Sequence, residues 1–323
     1  MKTLSAKNLS FSYSVGTPFE KQAISNVSVT FTPGKITGVI GHTGSGKSTL
    51  LEMMSGLQKP MCGEVLVDGE NLYQNPLELA MQDLKKEGYG APRWVYRLFL
   101  RKKWKRAYEK RVEEQKRRRF SIGLVMQYPE YQLFDETVLS DICYGPKNMG
   151  KTDEEAKDAA LRAAATVGLP SALFDKSPFE ISGGEKRRTA IAGVLAMEPD
   201  ILILDEPAAG LDPIGRKKVF EGISQYNKTK GATVILVSHS MEDLAKYCDE
   251  VVVMHQGKVV KTGSVEEIFT NREELSHYSL DVPQISAIAE ELLLAGIPLE
   301  GDLFTVDGVE KALLAYLSGG DRQ

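Results

Sequence analysis

Cysteine, tryptophan and histidine are scarce in this chain, with three, two and four residues among 323. The cysteines, Cys62, Cys143 and Cys248, are widely spaced and odd in number, so neither a disulfide framework nor a paired zinc site fits them. They read as indifferent thiols of a reducing compartment. Long apolar runs are missing as well. No stretch reaches the roughly 18 apolar residues that a membrane-spanning helix needs, and the opening MKTLSAKNLSFSY lacks the apolar core of a signal peptide. The expectation is a soluble cytosolic protein, free to dock onto a membrane protein. No internal repeat or low-complexity linker is present. With 42% hydrophobic and 26% charged residues, the composition excludes wholesale disorder, collagen and coiled coil. The length suggests about two domains.

The formal charge of -4 conceals an uneven distribution. Residues 85–119 hold 15 Lys and Arg against 4 Glu, a local +11 that leaves -15 for the rest of the chain. Net charge alone therefore selects no partner.

What is present reads as an α/β protein. Leu9, Phe11 and Tyr13 alternate with polar residues, as do Val27, Val29 and Phe31, which predicts strands. Residues 35–40 predict a short buried strand entering a Gly-rich loop, with a helix from Lys47 to about Gly56. Asp68-Gly69 after an apolar run signals a hairpin. Strand character returns at 121–126, and apolar strands are expected at 201–204, 234–237 and 251–254. The last is separated from 258–261 by a turn at Gln256-Gly257. Helical patterns cover 153–167 and 184–197. Alternating helices and apolar strands argue for a largely parallel sheet. After about Thr270 the pattern turns helical. Ile285, Ile288, Ala289, Leu292 and Leu293 share one face, and Val309, Ala312, Leu313, Tyr316 and Leu317 share another.

Gly41-His42-Thr43-Gly44-Ser45-Gly46-Lys47-Ser48-Thr49 matches the phosphate-loop pattern. Its glycines let backbone N–H groups converge on phosphate oxygens, and the following helix aims its positive end at the same anion. Lys47 can reach the β and γ phosphates, and Ser48 can offer a hydroxyl to Mg²⁺. His42 rides in the loop as a bystander. Residues 201–204 form an apolar strand that delivers Asp205 to the Mg²⁺ shell and Glu206 to the attacking water. His239 and Gln127 each follow a strand, where parallel sheets face their ligands.

In this order the pieces resemble the ATP-binding subunits of ABC transporters. Ser182-Gly183-Gly184-Glu185 is similar to the family's signature, with Glu185 in place of Gln and Ile181 in place of Leu. Asp205-Glu206-Pro207 resembles Walker B, and the run ending in Asp212 resembles the D-loop. Gln127 resembles the Q-loop and Ser238-His239 the switch histidine, while Tyr13 sits where an aromatic stacks on adenine. Residues 127–134, 190–197 and 280–284 are similar to energy-coupling factor ATPases. The resemblance implies a P-loop NTPase core with a mixed sheet, an antiparallel β subdomain, a helical signature subdomain over about 128–184 and a small C-terminal helical appendage. The ATPase domain would cover 1–270, with a basic helical insert over about 76–119. Residues 271–323 would form a C-terminal helical domain contacting a second ATPase.

The resemblance further implies ATP and Mg²⁺, and a motor for uptake of a vitamin or transition-metal ion. It implies a peripheral position on the cytoplasmic face of the membrane. In this family the signature completes the site of the opposite subunit. One phosphate loop and one signature per chain therefore call for a second ATPase, a copy or a paralogue. A transmembrane scaffold subunit and a substrate-binding membrane subunit complete the assembly, and Glu130 is expected in the groove that receives it. The alternative is a soluble or regulatory ATPase that binds nucleic acid through its insert. Residues 93–120 predict a helix with Tyr96, Leu100, Trp104, Tyr108 and Val112 in one stripe. That helix suits plain solvation or an anionic membrane surface at 93–119 better than it suits nucleic acid.

Overall fold

The computed structural model describes residues 1–86 and 101–319. Tyr96 and Leu100 of the predicted stripe lie outside the described residues. Ten strands build two sheets among those residues. Strands β1 (Leu4–Tyr13), β2 (Lys21–Phe31), β4 (Cys62–Val67) and β5 (Glu70–Asn71) form an antiparallel sheet in the order β2-β1-β4-β5. The larger sheet contains β3 (Ile36–Ile40), β6 (Ile122–Val125), β7 (Ile201–Asp205), β8 (Thr233–Val237), β9 (Glu250–His255) and β10 (Lys258–Ser264), in the order β10-β9-β3-β8-β7-β6. All its pairings are parallel except the β9–β10 hairpin, so the sheet is mixed.

Both faces of the larger sheet are covered, which explains its nearly unbroken apolar strands. Leu202, Leu204, Val234, Leu236, Val251 and Val253 face the helical layer. The alternate residues Ile201, Ile203, Ile235, Val237, Val252 and Met254 face the antiparallel sheet. Helix Lys47–Ser55 lies in that second layer and buries Leu50, Leu51, Met53 and Met54. Burying each such side chain is worth about 1.5–3 kcal/mol, so the helix that opens the phosphate site is held on its core side by its own apolar residues.

Helices Val138–Asn148, Asp153–Thr166 and Gly183–Ala196 pack together beside the sheet. Each starts in a capping box, at Thr137, Thr152 and Ser182. Helices Gln284–Leu294 and Val306–Gly319 share a small core of Ala289, Leu299, Val309 and Ala312. The two faces predicted there are only half used: Ile288, Leu293, Tyr316 and Leu317 are exposed, as is Leu314 beside them.

The basic block is folded as helices Pro76–Lys86 and Arg101–Phe120, so the helix predicted from 93 is described from 101 onward. No described residue of the second helix is buried. One edge is tied down. Arg111 donates twice to Asp83, at 2.7 Å each, and once to Glu114 at 2.8 Å. Gln115 donates to the Gln74 carbonyl at 3.2 Å, and Arg118 pairs with Glu70 at 3.0 Å. These anchors step by four and three residues and so lie on one face.

Candidate active site

The parallel strands end at one crevice, as open α/β sheets require. β3 releases the loop at 41–49, β6 releases Gln127, β7 releases Asp205 and Glu206, and β8 releases His239. Register aligns these exits, with Val39 beside Val237, Leu204 beside Leu236 and Val125 beside Leu204. The result is a cleft of about 260 Å³. Thr43, Gly44, Gly46, Lys47, Ser48 and Thr49 line it, together with Tyr13, Gln127, Asp205, Glu206 and His239. Gly41, His42 and Ser45 do not.

The loop is shaped by close backbone approach. Gly46 has φ +102°, and a Cβ there would meet the Ala23 carbonyl at 2.6 Å. Only glycine fits both the conformation and the space. Lys47 donates to the carbonyls of Gly41 at 2.6 Å and His42 at 3.1 Å. Its ammonium thus closes the loop on itself from inside the cleft. Burial lowers its pKa, opposed by the carboxylates of Asp205 and Glu206. Tyr13 stands half-exposed at the rim, its hydroxyl 3.1 Å from Thr49 Oγ1. Phe11 braces its ring edge-on at 4.9 Å.

Ser48 donates to Asp205 Oδ2 at 2.9 Å. Burial raises the Asp205 pKa, with the Ser48 hydroxyl and Lys47 pulling the other way. Glu206 is the unusual residue. Its backbone sits in the left-handed region at φ +53°, which a non-glycine residue adopts at a cost of about 1 kcal/mol or more. Its N–H donates to the Val237 carbonyl at 3.1 Å, fixing that turn. Its Oε1 is buried without a hydrogen-bond partner, 3.6 Å from His239 Nε2. Burial first, then the neighbouring Asp205, push its pKa up to about 7. A carboxylate poised near neutrality in a cleft lined by the phosphate loop has the properties of a general base.

Among the described residues, no group of three or more His, Cys, Asp or Glu could hold a metal alone. Mg²⁺ takes one or two protein oxygens and completes its shell with phosphates and water. The adjacent oxygens of Ser48 and Asp205 are such a pair.

The signature and D-loop residues lie outside the cleft lining. Ser182 caps helix Gly183–Ala196, and Glu185 folds back to accept from the Ser182 N–H at 2.8 Å and hydroxyl at 2.7 Å. Those two bonds hold its carboxyl below the usual range. Asp212 caps helix Pro213–Lys230 by accepting from Ile214 and Gly215 N–H groups, both at 3.0 Å. These bonds, led by that from Gly215, lower its pKa.

Sequence reading missed Arg187. This buried guanidinium lies two positions beyond Glu185 on the signature helix, with Nε 3.3 Å from Glu130 Oε2, and it donates to the Gln127 carbonyl. Glu130, expected in an open groove, is engaged within its own chain. Nothing in the sequence singles it out from the charged run Glu185-Lys186-Arg187-Arg188, and its partners lie about 60 positions away.

A family model described as ABC transporter matches residues 24–209. An energy-coupling factor transporter ATP-binding protein, EcfA2, of Caldanaerobacter subterraneus subsp. tengcongensis is 39% identical over 98% of each chain. Its counterpart in Symbiobacterium thermophilum is 43% identical, covering 95% of this chain and 94% of its own. The solved structure of cbiO1 from Clostridium perfringens, part of the ABC transporter complex cbiONQ, superposes with a TM-score of 0.63 at 32% identity. That match covers 89% of this chain and 98% of the other. With the phosphate loop, the paired acids and these full-length relatives in agreement, the chain belongs to the ABC transporter ATP-binding family, in its energy-coupling factor branch.

Proposed function

We propose that the chain is the ATP-binding and ATP-hydrolysing motor subunit of an energy-coupling factor importer, peripheral on the cytoplasmic face of the membrane. It works with a second ATPase, a transmembrane scaffold subunit and a substrate-binding membrane subunit that takes a vitamin or transition-metal ion. The observation that carries this reading is the buried, unpartnered carboxylate oxygen of Glu206, a residue that lines one cleft with the phosphate loop.

The roles follow from placement. The N–H groups of 43–49 and the amino end of helix Lys47–Ser55 bind the phosphates. Lys47 exchanges its loop carbonyls for phosphate oxygens. Tyr13 at the rim stacks on the base. Ser48, Asp205 and Gln127 are the residues that would hold Mg²⁺. When bound, the ion neutralises charge between phosphate oxygens. Glu206 takes a proton from the attacking water, and His239, 3.6 Å away, orients that carboxylate. Ser182 and its helix end, with Glu185 turned aside and Asp212 behind, face the nucleotide of the second ATPase.

Hydrolysis removes the contacts that hold the two halves, a population shift driven by the ligand. The exposed apolar faces of 271–323 support a contact with the second ATPase. The free faces of helix Arg101–Phe120 carry Lys102, Lys105, Arg106, Lys116 and Arg117 and favour anionic lipid over nucleic acid. The test is affinity purification of the tagged chain from detergent-solubilised membranes. Two membrane proteins and a second ATPase are expected to co-elute with ATP turnover. Recovery of the chain without membrane proteins would contradict the assignment.

A further inference from the structure

His42 does not line the cleft, yet its ring is firmly held. Its Nδ1–H donates to the Thr43 carbonyl at 2.7 Å, and its own carbonyl accepts from Lys47 at 3.1 Å. Ring position and loop shape are therefore linked. The other side of the ring meets His255 edge-on, with centroids 5.2 Å apart at 72°. Sheet register explains the meeting. Ile40 of β3 pairs with Val253 of β9, so residues two places on, His42 and His255, emerge side by side.

The end of β9 supports the loop elsewhere too. A Cβ on Gly41 would strike the Met254 carbonyl at 2.4 Å, and the Gly257 N–H donates to the Ser45 carbonyl at 2.9 Å. His255 in turn packs on Tyr278, with centroids 5.4 Å apart at 52°. The His255 Nδ1 is buried without a hydrogen-bond partner, so packing between the two neighbouring rings, rather than a bond to Nδ1, sets the ring's position. Tyr278 follows helix Arg272–His277, and its N–H donates to the Leu275 carbonyl at 2.9 Å. It belongs to the C-terminal segment that leads to helices Gln284–Leu294 and Val306–Gly319.

We propose that Tyr278 is a positioning residue for the phosphate loop, acting through His255 on His42, so that nucleotide binding and the placement of the C-terminal helices are coupled. Three rings in series connect a segment outside the cleft to the loop that grips phosphate. Ring contacts of this kind, one edge-on and one tilted, hold geometry without covalent or ionic links. Coupling of this form is reciprocal: whatever the tail does to nucleotide affinity, nucleotide does to the tail. The inference rests on the reading of 41–49 as the nucleotide loop and goes beyond it.

The test is titration of the full chain with a fluorescent ATP analogue, alongside hydrogen exchange of 272–280. Tyr278→Ala and His255→Gln are each expected to weaken binding about 3- to 10-fold, the range such ring contacts span. Tyr278→Phe, which keeps the ring, should bind as the native chain does. The double variant should be no weaker than the worse single one, because both act on one path. In the native chain, nucleotide should slow exchange at 272–280, and His255→Gln should abolish that slowing. His255→Gln keeps the test intact if Tyr278→Ala fails to fold. Native affinity in His255→Gln, strictly additive losses, or Tyr278→Phe as weak as Tyr278→Ala would overturn the proposal. Absence of binding in the native chain would overturn the nucleotide-loop reading itself.

Discussion

At the scale of single residues, the site stores a cost at Glu206. Its carboxyl is buried beside Asp205 and held up at about 7, against 4.5 for a free glutamate. The folded state therefore binds this proton more tightly than the unfolded state. Stability tied to the residue is fully present below the unfolded value and is lost as pH rises through about 7. Glu206→Gln removes that cost. It should stabilise the chain at about pH 8 by up to about 3 kcal/mol, and the gain should vanish toward about pH 4.5. Urea unfolding at the two pH values checks this, and no gain at the higher pH would contradict it. Activity runs the other way, because a general base must be ionised, so turnover should fall as pH drops through about 7.

Glu206, Asp205 and Lys47 were legible in the sequence because each sits at the end of an apolar strand or in a spaced loop. Arg187 and His255 were not. Their partners Glu130, Gln127, His42 and Tyr278 are distant in sequence, and only helix packing and strand register bring them together.

Among elements, the phosphate loop follows from motif spacing, and the strands and the signature helix from hydrophobic pattern. The strand predicted at 201–204 is found as Ile201–Asp205, and the helix predicted at 184–197 as Gly183–Ala196. The insert was legible only in part. Its aromatic stripe predicted a helix but not the anchors that orient it, since Asp83, Glu70 and the Gln74 carbonyl lie elsewhere in the chain. Those anchors leave Lys102, Lys105, Arg106, Lys116 and Arg117 on the free faces. Replacing these five with Gln should lower co-sedimentation with phosphatidylglycerol vesicles by at least about tenfold, at about 1 kcal/mol for each charge near the surface. Binding to neutral vesicles and to RNA should stay unchanged. Equal binding to anionic vesicles would remove the membrane from the insert's role.

For the whole molecule, the decisive feature is incompleteness. The cleft gathers the loop, the paired acids, Gln127 and His239, while Ser182, Glu185 and Asp212 lie outside its lining. Under the proposed function, a chain with one of each half-site is completed by a second ATPase. The C-terminal helices leave Ile288, Leu314 and Leu317 exposed, a surface suited to that partner. Leu314→Lys combined with Leu317→Lys should weaken ATPase pairing by at least about tenfold in sedimentation velocity, because a charge would be buried in the contact. Unchanged pairing would place the contact elsewhere.

The central claim is that Glu206 makes this cleft an ATPase. Its most direct test is ATP turnover by Glu206→Gln in the purified assembly, with nucleotide binding measured on the same sample. The expected result is retained ATP binding, a closed ATPase pair that accumulates, and a turnover loss of about 100-fold or more, the usual scale for removing a general base. Turnover within about twofold of the native assembly would contradict the account.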